Sequence, residues 1–372
     1  MKNSNYEIIV IGPRSLESNP GGIEIHCKKL YKHFDCASAN LNILMLICSN
    51  DPKEYKNIIQ LENYSTMSIK GSSIKYFDKL FYSFRSLFYI LKIKPRLVHM
   101  QGFSVSWIAP FLRLYKIPIL TTIHSREYNN PGKIFIIRFI AKIAKDLVKK
   151  FSNIIVISRS AKKDFNSSVL IPNGVDAPFI TQSDRNRRDE KLQDLGIDQD
   201  YFLCLGRVVT EKGIDLLVQE LSIGGIHNPL IIIGPIDQKH YKYLLNLNIS
   251  KNYQNLIYFL GPLDHSLCMA FMENAKLYLS ASKLEECPIA PREALALDVP
   301  MLLSDIEAHR DIELDDMSYY KFGTFSGMQK KVQKILAEHS NVNKPDREIY
   351  LWEDCAKDTF DLYKKIFAND NG

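Results

Sequence analysis

Residues 201–218 read Tyr201-Phe202-Leu203-Cys204-Leu205-Gly206-Arg207-Val208-Val209-Thr210-Glu211-Lys212-Gly213-Ile214-Asp215-Leu216-Leu217-Val218. An apolar run, a glycine, a charged turn and a renewed apolar period describe a strand that stops at a loop and feeds a helix. A strand apolar on both faces belongs inside a parallel sheet. Arg207 and Lys212 flank the helix start. Two cations and the positive end of a helix dipole, set at the carboxyl end of a strand, would neutralise a diphosphate. A solvated charged turn is the plain alternative. The placement favours phosphate.

The same unit repeats on either side. Before it, apolar runs at 7–11, 41–47, 97–100, 118–123, 154–157 and 169–171 alternate with helix-like stretches at 22–34, 73–92, 105–115 and 133–151. After it, strands are expected at 230–233, 256–260, 277–279 and 301–303, and helices at 214–221, 239–247, 266–274, 290–297 and 327–338. Such alternation implies right-handed crossovers and open α/β sheets, with ligands at the carboxyl ends of the strands. A chain of 372 residues suits two domains. They are expected at 1–175 and 201–350, with the polar segment 176–200 as a linker plus a short helix. Segment 351–367 is helical by spacing, and its stripe of Trp352, Cys355, Thr359, Phe360, Tyr363, Ile366 and Phe367 is expected to pack back on the first domain.

Composition narrows the setting. The apolar run at 8–11 stops at Gly12-Pro13 and is too short for an export signal. No stretch approaches about 18 uncharged apolar residues, the length of a membrane span. Seven scattered cysteines without C-x-x-C spacing argue against zinc and a disulfide framework, and fit reduced thiols in a cytoplasm. Residues 1–180 hold 26 Lys and Arg against 12 Asp and Glu, a net +14; the remainder holds 22 against 30, a net −8. The first half is therefore expected to meet something anionic. Nucleic acid is not expected, because the charge comes without a binding motif.

Two more loops carry chemistry. Gly21-Gly22-Ile23-Glu24 follows the first strand, where adjacent glycines let backbone amides approach a ligand, or simply give a tight turn clearance. Residues 282–294 place Glu285 in the loop after the 277–279 strand and Glu293 in the next helix. Loop amides there can hold phosphate or sugar oxygens while the carboxylates accept hydroxyl donors. A glutamate pair by itself is more often a hydrated surface.

Taken in order, the motifs carry a resemblance over nearly the whole chain: G-G-I-E-I-H at 21–26, L-V-H-M-Q-G at 97–102, T-T-I-H at 121–124, V-I-S-R-S at 156–160, I-P-N-G-V-D at 171–176, L-G-R-V-V-T-E-K-G-I-D-L-L at 205–217, I-I-G-P at 232–235, the paired glutamates at 285 and 293, and W-E-D at 352–354. The chain resembles the retaining glycosyltransferases of family 4. The resemblance implies a GT-B fold, two Rossmann-like doubly wound parallel-sheet domains facing an interdomain cleft. It implies sugar transfer from a nucleoside diphosphate sugar to an acceptor hydroxyl, with retained anomeric configuration. Arg207 and Lys212 match the pair that grips the donor diphosphate. Glu285 matches the first motif glutamate, close to the donor sugar, and Glu293 the second, which holds the ribose hydroxyls. Backbone amides near Ile289 and Ala290 would face the sugar-phosphate, with Pro291 supplying no N–H. His124 matches a histidine that projects toward the sugar, and Gly21 and Gly22 match a loop that closes over the donor.

On this reading a departing phosphate oxygen takes the acceptor proton, and neither a cofactor nor an obligatory metal is expected. The D-x-D considered, Asp198-Gln199-Asp200, falls in the expected linker. Three departures bear on donor preference: Glu286 and Asp298 stand where glycine is common, and Arg292 where an apolar residue is usual. A sugar-nucleotide epimerase of the same fold and a non-catalytic sugar-nucleotide-binding subunit are the competing readings.

Segments 74–91 and 133–151 carry apolar residues at helical spacing among basic ones: Ile74, Phe77, Phe81, Phe84, Phe88 and Leu91 in the first, and Phe135, Ile136, Phe139, Ile140 and Ile143 in the second. Most of these aromatics are expected to pack on the domain's own sheet. Basic amphipathic helices also lie on anionic bilayers. The expectation is a cytoplasmic protein, peripheral on the inner membrane face, taking a saccharide or lipid-linked saccharide acceptor for cell-surface polysaccharide.

Overall fold

The computed structural model describes residues 6–14, 21–34, 41–49, 57–72, 78–126, 128, 135–223, 227–247, 256–321, 325–338 and 349–370. The chain forms two compact units, Met1–Gly174 with Leu351–Gly372, and Val175–Tyr350.

In the first unit the Ile- and Leu-rich runs become strands β1 (Ile8–Ile11), β2 (Ile43–Ser49), β3 (Ile58–Gln60), β4 (Ser65–Lys70), β5 (Leu97–Gln101), β6 (Ile119–Ile123), β7 (Asn153–Val156) and β8 (Val169–Leu170). Their order is β3-β4-β2-β1-β5-β6-β7-β8, parallel except for the antiparallel edge strand β3. The chain runs outward from β1 in one direction and from β5 in the other. The order therefore reverses between β1 and β5, where an open α/β sheet leaves a crevice at its carboxyl end. Gly12 ends β1 at this point with φ 124°, and a Cβ there would sit 2.5 Å from the Gln101 carbonyl oxygen at the end of β5.

Helices cover both faces: α1 (Gly22–Lys32), α2 (Asp78–Ile93), α3 (Ala109–Leu114), α4 (Phe135–Phe151) and the short α5 (Arg159–Lys162). Ile9, Leu44, Val98 and Met100 pack with Tyr82 and Ile90 of α2 and Leu112 of α3. Ala141, Ala144 and Val148 of α4 extend that layer over β6 and β7. The C-terminal helix Trp352–Asp370 packs beside α1, burying Trp352, Cys355, Thr359, Tyr363, Ile366 and Phe367.

The aromatic stripes depart from expectation. Phe81, Phe84 and Phe88 of α2 are 45–68% exposed, and Phe135, Ile136, Phe139 and Ile140 of α4 are 45–76% exposed. The inward stripes use other residues, Tyr82, Ser83, Ser86 and Ile90 on α2 and small alanines on α4. Small side chains let a helix sit close to its sheet, which leaves the bulky face outward. Ile74, Lys75, Phe77 and Lys133 lie outside the described residues.

The second unit contains β9 (Phe202–Leu205), β10 (Leu230–Ile233), β11 (Ile257–Gly261), β12 (Leu277–Ser280), β13 (Met301–Ser304) and β14 (Tyr319–Tyr320), all parallel in the order β11-β10-β9-β12-β13-β14. Its reversal point lies between β9 and β12. The helices are α6 (Gln182–Asp194), α7 (Ile214–Ile223), α8 (Gln238–Leu245), α9 (His265–Glu273), α10 (Ile289–Ala296), α11 (Glu307–Arg310) and α12 (Phe325–Glu338). Leu217 and Leu221 of α7 pack with Val332 and Ile335 of α12 on one face; Leu192 of α6, Phe271 of α9 and Ala294 of α10 pack on the other.

Residues 176–200, read from sequence as linker with a short helix, carry the 13-residue α6 and lie within the second unit. A capping box of Thr181 and Asp184 starts α6, and Arg185 grips Glu273 of α9 through two hydrogen bonds of 2.9 and 2.8 Å. Both units are α/β with predominantly parallel sheets, the GT-B class expected from the sequence.

Candidate active site

The loops that follow β9 and β12 meet at the reversal point of the second sheet. Gly213 makes the close approach possible. Its φ is 62°, and a Cβ would lie 2.0 Å from the Ala281 carbonyl oxygen. The amide of Lys283 donates to the Glu211 carbonyl at 2.8 Å, tying the loops together, and Ser304 Oγ donates to the Ser282 carbonyl at 2.6 Å. Across this joint Lys212 Nζ donates to Glu285 Oε1 at 2.5 Å, and Ser282 Oγ donates to the same oxygen at 2.8 Å. Burial favours the neutral carboxyl of Glu285, but the Lys212 ammonium and these two hydrogen bonds outweigh it and hold the group below its ordinary range.

Behind the pair, His309 is buried. Its Nδ1 donates to the Ser304 carbonyl at 2.8 Å, and its Nε2 lies 3.3 Å from Ser280 Oγ. Burial lowers His309 to about 4, so it is a neutral support for the loop. Arg207 is exposed on the loop that follows β9, with no ion pair among the described residues.

The loop ends in α10. Its N-cap, Pro288, brings no side-chain acceptor to the amides of the first turn, which begins at Ile289 and Ala290. Those N–H groups and the helix dipole suit an anionic oxygen. Glu293, one turn on, accepts from His265 Nε2 at 2.8 Å. Glu285 and Glu293 both lie close enough to the buried Tyr278 to add to the upward push that burial gives its phenol. Lys212 and Glu285 are thus joined directly, and Glu293 stands nearby on α10. Asp198 and Asp200 precede β9, at the end of the strand opposite these loops, where Asp200 pairs with Lys276 at 3.3 Å.

In the first unit, His124 follows β6 beside the reversal point of that sheet. Its Nε2 donates to Gln101 Oε1 at 2.7 Å, which leaves Nδ1 with its lone pair. Gln101 Nε2 donates to His99 Nε2 at 3.3 Å, Thr122 Oγ1 lies 2.7 Å from the same nitrogen, and Tyr31 and Tyr363 hydroxyls stand 2.8 and 2.7 Å from His99 Nδ1. His26 packs edge-on against His124, with ring centroids 4.6 Å apart, and against Trp352. Its Nδ1 bonds Asn173 Oδ1 at 2.9 Å, and its buried Nε2 has no hydrogen-bond partner among the described residues. Burial lowers His26 to about 4 and His99 to about 3, and it holds His124 well below its ordinary value, with His26 and His99 adding to the effect. All three rings are neutral near pH 7.

Gly21 is the N-cap of α1, in extended conformation with φ −82°. Glu24 closes this helix start, accepting from the amides of Arg14 at 2.8 Å and Gly21 at 3.0 Å. A Cβ at Gly22 would meet nothing within 4 Å. Clearance inside the unit therefore does not require glycine at 22, and an incoming molecule remains a reason for it.

Sequence reading had quoted His26 and Gln101 inside motifs without assigning them. It had missed Ser282, His265 and His309. Ser282 opens a loop already singled out, and that adjacency was its signal. His265 and His309 are lone histidines; Glu293 lies 28 positions from the first and Ser280 29 from the second, and the nearer Ser304 partner of His309 bonds through its backbone carbonyl, which carries no sequence signal.

Comparison with known proteins gives a consistent picture. The family Glycosyltransferase Family 4 matches residues 20–178, and Glycosyl transferases group 1 matches residues 187–348. An uncharacterized glycosyltransferase of Methanocaldococcus jannaschii, MJ1607, is 24% identical, covering 92% of this chain and 94% of its own. CapM of Staphylococcus aureus, a capsular polysaccharide biosynthesis glycosyltransferase, is 25% identical, covering 91% and 90%. Among solved structures, sucrose-phosphate synthase from Thermosynechococcus elongatus superposes with a TM-score of 0.81 at 19% identity, covering 98% of this chain and 100% of that one. Anabaena HepE in complex with UDP and glucose follows at 0.74 and 14%, covering 97% and 100%.

Proposed function

The chain belongs to the family 4, group 1 glycosyltransferases, and from that premise we propose that it moves a sugar from a nucleoside diphosphate sugar to a saccharide hydroxyl with retention of configuration. The observation that carries the donor reading is the Lys212–Glu285 joint at the reversal point of the second sheet, one loop away from the amides that open α10. A diphosphate leaving group needs its growing charge neutralised. Lys212 and Arg207 supply cations, and the first turn of α10 supplies N–H donors. Glu285, kept ionised, accepts a sugar hydroxyl and stabilises positive charge at the anomeric carbon. Glu293 accepts the ribose hydroxyls, exchanging its His265 bond for them.

On the first unit, the resemblance assigns His124 to the transferred sugar. What supports the role is its tautomer: Gln101 Oε1 accepts the hydrogen bond from Nε2–H, which leaves Nδ1 as an acceptor for a sugar hydroxyl. The neutral ring cannot repel cationic character at the anomeric carbon. The departing phosphate oxygen takes the acceptor proton, so no residue need serve as base. HepE holds UDP and glucose, and CapM is named for capsular polysaccharide; both support a nucleotide-sugar donor and a surface-polysaccharide acceptor.

A panel of nucleoside diphosphate sugars, scored by thermal stabilisation and then by transfer, tests this. Arg207→Ala and Lys212→Ala should each raise the donor Kd at least about tenfold, the weight of one charge-assisted bond. His124→Ala and Glu285→Ala should chiefly lower kcat. Unaltered turnover in both of the latter would remove the catalytic assignment, and epimer formed without acceptor would replace transfer by epimerisation.

A further inference from the structure

The bulky apolar side chains of α2, α3 and α4 face outward together. On α4, Phe135, Ile136, Phe139, Ile140 and Ile143 are 38–76% exposed and fall on one helical stripe, opposite the Ala141–Ala144–Val148 stripe that does the packing. Leu114 and Phe111 of the neighbouring α3 are 78% and 44% exposed. The Phe111 ring lies 6.1 Å from that of Phe84 on α2, joining the third helix to the face. A contiguous apolar face of this extent marks an interaction surface.

Charge says what covers it. The three helices carry nine Lys and Arg against two carboxylates, Asp78 and Asp146; with Lys79 turned inward to the Gly12 carbonyl and Lys145 paired with Asp164, the excess is still positive. Arg113 and Lys116, on either side of Leu114, and Lys142, one helical turn on from Phe139, are all exposed. A second copy docked face to face would oppose like charges across an apolar seam. Anionic lipid satisfies both features at once, acyl chains for the stripe and headgroups for the cations.

We propose that this face docks the first unit on an anionic bilayer, α4 lying in the interface plane with Phe135, Ile136, Phe139 and Ile140 at the acyl boundary and Arg113, Lys116 and Lys142 among the headgroups. The docking adds a partner to sugar transfer and does not depend on the donor assignment. Among the described residues no helix is long and apolar enough to cross a membrane, so attachment through this face is peripheral.

The experiment is co-sedimentation of the full chain with phosphatidylcholine vesicles, with and without phosphatidylglycerol, at low and high salt. The expected result is binding to the phosphatidylglycerol vesicles that weakens as salt rises. The double change Phe139→Ser, Ile140→Ser and the single change Lys142→Glu should each lower the partition coefficient roughly tenfold. These side chains are exposed, so thermal midpoint and stabilisation by a nucleotide donor should match wild type, which separates loss of docking from loss of fold or of donor binding. Three results would overturn the proposal: a full chain that stays in the supernatant, serine variants that pellet like wild type, or a dimer in sedimentation equilibrium that the serine changes dissolve.

Discussion

At the scale of single residues, the second unit concentrates its electrostatics in Lys212 and Glu285. A half-buried carboxylate stays ionised because a cation lies at hydrogen-bond distance, so removing the cation should expose much of the cost of its burial. Lys212→Met is expected to lower stability at pH 7 by about 1–3 kcal/mol. The pH dependence has a definite sign. In the wild type the Glu285 pKa is depressed, so its contribution is present above the unfolded value near 4.5 and is lost as pH falls through the lower folded value. In the variant the Lys212 charge no longer offsets burial, the Ser282 hydrogen bond remains the main opposition, and the folded pKa rises. Its penalty is therefore largest at neutral pH and relaxes on acidification. The stability gap, read from urea denaturation at a series of pH values, should narrow from pH 7 toward pH 4. A constant gap would show that Lys212 does not sustain the charge of Glu285. Asp298, which stands where the resemblance implies glycine, has φ 56°, a left-handed conformation that favours glycine.

At the scale of elements, α6 shows how a helix forms without an apolar period. Of its 13 residues the buried ones are Asp184, Arg188 and Leu192, and its anchors are the Thr181 cap, the Arg185–Glu273 fork and the contact of Arg188 with the Ala270 carbonyl. Thr181→Ala should cost the second unit about 1 kcal/mol, measurable as a shift in its denaturation midpoint. The same property made segment 176–200 read as a linker with a short helix in the sequence. Strands β1, β2, β5, β6, β9 and β10 were legible because runs of Ile, Val and Leu declare a doubly buried strand. β3 and β4 were not, since β3 is exposed throughout and β4 mixes serine and threonine into its run. The loops after β9 and β12 were legible as charged turns at strand ends. The direction of the α4 stripe was not, because helical spacing is the same whether the apolar face looks in or out. The hydrogen bonds around His99 were also hidden, its contact with Tyr363 spanning 264 positions.

At the scale of the whole molecule, the two units should respond differently to acid. The first contains three neutral histidines, His26, His99 and His124, all depressed chiefly by burial, and the second contains His309. An unfolded chain protonates each near pH 6.5 while the folded one does not. Their contribution is therefore complete above about 6.5 and declines as pH falls toward 4, by up to about 1.4 kcal/mol per histidine per pH unit. Calorimetry that resolves two transitions should show the first unit's midpoint falling faster between pH 7 and 5. Equal shifts would mean that the buried histidines of the first unit take up protons without unfolding it.

The first unit is also discontinuous. The chain leaves it after Gly174, where a Cβ would lie 2.5 Å from the Leu351 backbone, and returns at Leu351 with the helix that supplies Trp352 and Tyr363. This has a consequence in time. During synthesis on the ribosome, the half made first waits while the half made second folds. Until the last helix emerges, His99 and Tyr31 lack a hydroxyl they share and α1 has an open flank. A stop at codon 352 would leave the second unit whole and strip the first of the helix that carries Trp352 and Tyr363, so a change late in the message is felt in a part of the protein encoded much earlier.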